Sequence, residues 1–103
     1  PQNLRAFVGD KIVTLKWDVV QNATGYNIYR NGIKIASVNT TTYEDKNVTN
    51  GVSYIYYVTA INSVGESEKS NEVSATPVAI VVPGFEIIVI LVMIFLIRLR
   101  KRC

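Results

Sequence analysis

From Val13 onward, apolar side chains in this chain return at every second position, a spacing that lines one face of an extended strand and scatters around a helix. Val13, Leu15 and Trp17 alternate with Thr14 and Lys16, and Tyr26 and Ile28 alternate with Asn27 and Tyr29. The longest such run, residues 54–61, is β-branched and aromatic; it reads as a central strand with Tyr54, Tyr56, Val58 and Ala60 on one face. Turn chemistry separates the runs. Asn31-Gly32 divides residues 26–30 from 33–38, and an Asn-Gly pair supplies the two φ > 0 conformers of a two-residue hairpin. Asn50-Gly51 and Val64-Gly65-Glu66 punctuate the later strands. No stretch before residue 78 shows a helical period, so residues 1–77 are expected to form an all-β sandwich of seven short strands.

A body of this size is near the lower limit for a single core without covalent staples. Cys103 is the only cysteine, so no disulfide framework exists, and stability must come from apolar packing. The terminal thiol is open to lipidation or intermolecular bridging, with an inert thiol as the plainer reading.

The C-terminal end has a different character. Pro83, Gly84, Phe85 and Glu86 precede an unbroken apolar run over residues 87–97, which is followed by Arg98, Leu99, Arg100, Lys101, Arg102 and Cys103. Residues 1–77 balance seven basic against seven acidic side chains, so the whole net charge of +3 arises from residue 78 onward. A nucleic-acid surface is therefore not indicated. Basic residues directly after an apolar segment mark a cytoplasmic end, which assigns residues 1–77 to the exterior. We expect a linker over 78–84 leading into the Pro-Gly-Phe motif, one transmembrane helix over 85–97 and a basic cytoplasmic tail over 98–103. Eleven apolar residues rise only about 16 Å against a hydrocarbon core of about 30 Å. Snorkelling of Arg98 and Arg100 lengthens such a span only somewhat.

Residues 1–77 resemble a fibronectin type III domain throughout. Pro1, Leu4 and Ala6 look like its strand A, Val13, Leu15 and Trp17 its strand B, and Gly25, Tyr26, Ile28, Tyr29 and Arg30 its strand C, with residues 33–38 as the next strand. Thr42, Tyr43, Glu44 and Asp45 look like strand E. Gly51, Tyr54, Tyr56, Val58, Ala60 and Asn62 look like strand F, and Glu68, Ser70, Val73, Ala75 and Pro77 like strand G. The resemblance implies that Tyr54 is a tyrosine-corner residue, with its ring in the core and its hydroxyl on backbone, and that Trp17 is a core residue.

The tail resembles the PGF-CTERM sorting signals of archaeal surface proteins, through Pro83, Gly84 and Phe85, the apolar segment and the basic end. Membership would imply an archaeosortase-type processing enzyme that removes the tail as the protein is joined to lipid, by a logic similar to a GPI signal. Two features depart from that pattern: the apolar residues 78–82, where a Thr/Ser/Pro-rich stalk often stands, and the terminal cysteine. An ordinary single-pass anchor starting at a Pro-Gly break is the alternative.

Chemistry is sparse. The chain has no histidine, which excludes histidine-based triads and the commonest metal ligand. No phosphate loop, zinc spacing or Arg-Gly-Asp loop occurs, and no catalytic, cofactor or metal residue is assigned. Glu44-Asp45 and Glu66-Ser67-Glu68 are read as solvated charges at strand ends. Three Asn-x-Ser/Thr sequons, at Asn22, Asn39 and Asn47, fall in expected loops; they suit N-glycosylation, and equally Asn and Thr in their role as turn formers. The outward face of the central strand would carry Ile55, Tyr57, Thr59 and Ile61 beside Tyr29 and Asn27, apolar enough for a contact surface. Its expected partners are a neighbouring extracellular domain, a surface protein or a glycan stacked on tyrosine.

The chain begins at Pro1 without methionine or signal peptide, and we expect it to end a longer protein. The leading expectation is a non-catalytic, membrane-proximal adhesion or spacer module of an archaeal cell-surface protein, tethered by its tail. The alternatives are the accessory C-terminal module of a surface-anchored hydrolase, an unprocessed single-pass membrane protein, and a receptor ectodomain. A six-residue cytoplasmic end leaves no room for signalling in the last of these.

Overall fold

The computed structural model describes residues 1–79. Seven strands form: β1 (Arg5–Gly9), β2 (Ile12–Lys16), β3 (Gly25–Arg30), β4 (Ile33–Val38), β5 (Thr42–Asp45), β6 (Tyr54–Ile61) and β7 (Val73–Ala75). They build a three-stranded sheet ordered β1-β2-β5 and a four-stranded sheet ordered β4-β3-β6-β7, with every pair antiparallel. Among the described residues no helix is long and apolar enough to cross a membrane; the expected helix over 85–97 lies outside them.

The alternation becomes a core between the two sheets. Val13 and Leu15 of β2 face Tyr26 and Ile28 of β3 and Tyr56, Val58 and Ala60 of β6, all with little or no exposed surface. Trp17 lies one residue past β2 but is also buried; its N–H continues the pairing by donating to Thr41 O at 3.1 Å. Its ring meets Tyr26 edge to face at 5.5 Å. The Trp17 Nε1 is buried without a hydrogen-bond partner.

The first and last strands differ from their expected limits. β1 starts at Arg5 rather than near Pro1, because Asn3 adopts a positive φ and the Leu4 backbone is clamped by a distant side chain. Asn71 accepts from Leu4 N at 3.0 Å and donates to Leu4 O at 2.9 Å. β7 is only three residues long because side chains replace its upstream ladder. The Ala60 and Val58 N–H groups donate to the hydroxyls of Ser67 and Ser70, at 2.9 and 3.0 Å, while Ser67 N and Ser70 N return bonds to Ala60 O and Val58 O.

Two turns behave as their residues dictate. Asn31 and Gly32 both have positive φ, 52° and 83°, the two-residue geometry that matches strand twist. The Tyr54 hydroxyl accepts from Thr49 N–H at 2.9 Å, five residues upstream, closing the corner; its ring is half-buried at the margin of the core.

Chain entrance and exit lie at opposite ends of the sandwich. Arg5 pairs with Lys16 at one end of the first hairpin and Gly9 with Ile12 at the other. The chain enters beside Asp18 and Asn71, and leaves where Val78 N donates to Gly9 O and Gly51 N to Pro77 O.

Candidate functional site

The outer face of the four-stranded sheet holds the densest grouping of side chains with chemistry. Tyr29 of β3 and Tyr57 of β6 are register partners, and their rings stack at 4.6 Å with a 14° interplanar angle. Lys69 Nζ lies 5.0 Å from the Tyr57 centroid and bonds Glu72 at 2.8 Å, so the second ring face is covered by a cation held in place. That bond and its charge raise the Lys69 pKa.

Beside the stack, one oxygen of Glu66 collects three donors. Asn27 Nδ2 reaches Oε2 at 3.1 Å, and the Tyr29 and Thr59 hydroxyls each reach it at 2.5 Å. Asn27 in turn accepts from the Ser37 hydroxyl at 2.6 Å. The bonds from Thr59, Tyr29 and Asn27 favour the charged form and hold the Glu66 carboxyl down at about 2. The same bond raises the Tyr29 phenol.

This network changes the character of the face. Of the residues expected to stand outward, Ile55 is exposed, Tyr29, Tyr57 and Ile61 are half-buried, and Thr59 and Asn27 are buried. Glu66 is not a charge facing only water, as Glu66-Ser67-Glu68 reads in sequence, because the turn at Gly65 returns it onto β6 through a bridge to Ile61. A sugar ring laid flat on Tyr57 would have to displace Lys69, since Tyr29 already occupies the opposite face of that ring.

The second carboxylate group also departs from a solvated edge. Asp45, 1% exposed, accepts from Arg30 Nη1 and from the Tyr56 hydroxyl, both at 2.7 Å, and from Asn47 N at 3.1 Å. Burial and the bond to Asp45 push the Tyr56 phenol far up, and the bond to Asp45 raises Arg30. Three donors from separate parts of the fold converge on one carboxylate, so the group acts as a clasp. Strand phase carried the signal for Asp45, which stands two residues from core-facing Tyr43. No comparable signal marked Glu66.

Asn22, Asn39 and Asn47 are all exposed. Asn22 and Asn39 stand in loops at the entrance end, and Asn47 in the loop after β5 near the exit. Pro83, Gly84, Phe85, Arg98, Arg100, Lys101 and Arg102 lie outside the described residues. Among the described residues no group of three His, Cys, Asp or Glu side chains is placed to hold a metal ion.

A Fn3-like protein from Clostridium thermocellum superposes with a TM-score of 0.68 at 27% identity, over 80% of this chain and 93% of that one. The sandwich is a fibronectin type III fold. No family model matches the chain. The fibronectin-type module is 46% identical over 85 residues to an amylopullulanase of Thermoanaerobacterium saccharolyticum, covering 75% of this chain and 7% of that protein. It is also 46% identical over 65 residues to a poly(3-hydroxybutyrate) depolymerase of Ralstonia pickettii, covering 62% of this chain and 13% of the relative. The module thus corresponds to a small part of large proteins with enzyme names.

Proposed function

We propose that this chain is a non-catalytic accessory module of a surface-anchored hydrolase, a spacer that sets a catalytic unit apart from the membrane. The observation that carries the reading is the placement of entrance and exit at opposite ends of a rigid sandwich, because such a module separates whatever precedes it from whatever follows. Similarity to segments of an amylopullulanase and a depolymerase supports a hydrolase as the preceding part, with a polymer as its substrate class. The mechanism is tethering, which raises effective concentration against nearby substrate without new contacts. The coding sequence upstream of Pro1 tests it: a catalytic hydrolase domain is the expected result, and its absence would leave only an adhesion or spacer role.

A membrane tether is favoured by the tail, in which Pro83, Gly84 and Phe85 lead into the apolar run and the basic cluster of Arg98, Arg100, Lys101 and Arg102. On this reading the module faces the exterior of an archaeal cell, and an archaeosortase-type enzyme exchanges the tail for lipid. Mass spectrometry of the mature surface protein decides it. A C-terminal peptide still carrying residues 87–102 would remove the exchange and leave a permanent single-pass anchor.

A further inference from the structure

Exposed large apolar side chains are distributed unevenly over this sandwich. Eight stand out among the described residues, and five of them lie toward the pole from which the chain leaves: Val8 at 46% exposure, Ile33 at 69%, Val52 at 45%, Ile55 at 43% and Val78 at 51%, with Phe7 at mid-strand in β1. Only Val19 and Val64 lie toward the entrance end, on separate loops. Backbone bonds draw Val8, Val52 and Val78 together around the exit. Val78 N donates to Gly9 O, directly after Val8, and Gly51 N, directly before Val52, donates to Pro77 O. Asn31 N donates to Ile55 O, which places the Ile33 end of the β3–β4 hairpin at the same pole.

The charges at this pole nearly balance. Asp10 is bonded by Asn50 Nδ2 at 2.7 Å, Lys46 lies 3.7 Å from Glu44, and Lys11 and Lys34 complete the set with a small positive excess. A pole with so little net charge and apolar side chains around it meets no net repulsion from a zwitterionic lipid surface. The sequence after Val78 argues for closeness as well. Residues 78–82 are all apolar, so no solvated stalk separates the pole from the apolar run starting at Ile87. Fully extended, the chain between Val78 and Ile87 reaches only about 30 Å.

We infer that the exit pole, with Val8, Val52 and Val78 at its centre, rests on the lipid surface and orients the module upright above it. The inference depends on the tethering reading of the tail, and the experiment separates the two. The full chain, in a Cys103→Ser background, is labelled with an environment-sensitive fluorophore at Val52→Cys, at Val78→Cys or, at the opposite pole, at Val19→Cys. Each is added to phosphatidylcholine vesicles with and without brominated acyl chains. The expected result is flotation of all three proteins with the vesicles, with several-fold stronger bromine quenching at positions 52 and 78 than at 19. Flotation with equal, weak quenching at all three positions overturns the contact while leaving the tether standing. Failure to float overturns both.

Discussion

Arg30 of β3 and Asp45 of β5 meet at 2.7 Å across the two sheets, with the Asp45 side chain 2% and that of Arg30 20% exposed. The pair fastens the four-stranded sheet to the three-stranded one. Tyr56 bonds the same carboxylate oxygen, and the Arg30 guanidinium also lies 5.8 Å from the Tyr54 ring centroid. Asp45→Ala removes the shared acceptor and leaves a cation and a phenol facing a vacated, buried site. We expect a loss of about 3 kcal/mol, read as a shifted denaturation midpoint followed by Trp17 fluorescence. Stability within a few tenths of wild type would show that the clasp contributes nothing net.

The corner bond at Tyr54 is a smaller contributor. Tyr54→Phe deletes the hydroxyl that Thr49 N–H donates to, and this N–H lies in an exposed loop where water can substitute. The expected cost is about 1 kcal/mol, with faster amide exchange at Thr49 as the local signature. Unchanged exchange there would mean that the bond does not order the loop.

Glu66 makes stability depend on acid. Its carboxyl is held at about 2 against an ordinary value of 4.5 by the bonds from Thr59, Tyr29 and Asn27. A depressed folded-state value means that the stabilisation is fully present above pH 4.5 and is lost as pH falls toward 2. Wild type should therefore exceed Glu66→Gln in melting temperature at neutral pH, with the gap narrowing through that acid window. A gap independent of pH would assign the effect to geometry rather than charge.

The hairpin turn offers a backbone test. Gly32 has a φ of +83° with open space where a Cβ would stand, so Gly32→Ala adds no clash and isolates the left-handed strain. The expected destabilisation is about 1–2 kcal/mol. A neutral result would show that the β3–β4 turn relaxes into another type.

Local patterning made most of the fold legible. Alternation identified Val13, Leu15 and Trp17, then Tyr56, Val58 and Ala60, as core, since a strand turns every second side chain to the same face whatever it later packs against. Asn31-Gly32 announced its turn for the same local reason, and the corner role of Tyr54 followed from family resemblance. The outer face was less legible. Alternation can state that Thr59 and Asn27 point away from the core, yet both are buried, because Glu66 arrives from beyond the strand to bind them.

The sequence by itself determined the strands, their inward faces and the turns between them, because each depends on residues one to three positions apart. Tertiary structure alone decided that Arg30 would find Asp45, that Ser67 and Ser70 would stand in for a ladder, and that the exposed Val8, Val52 and Val78 would meet at the exit pole. Such meetings join residues 7, 12, 15 or more positions apart, and only the stacking and register of the strands bring them within reach.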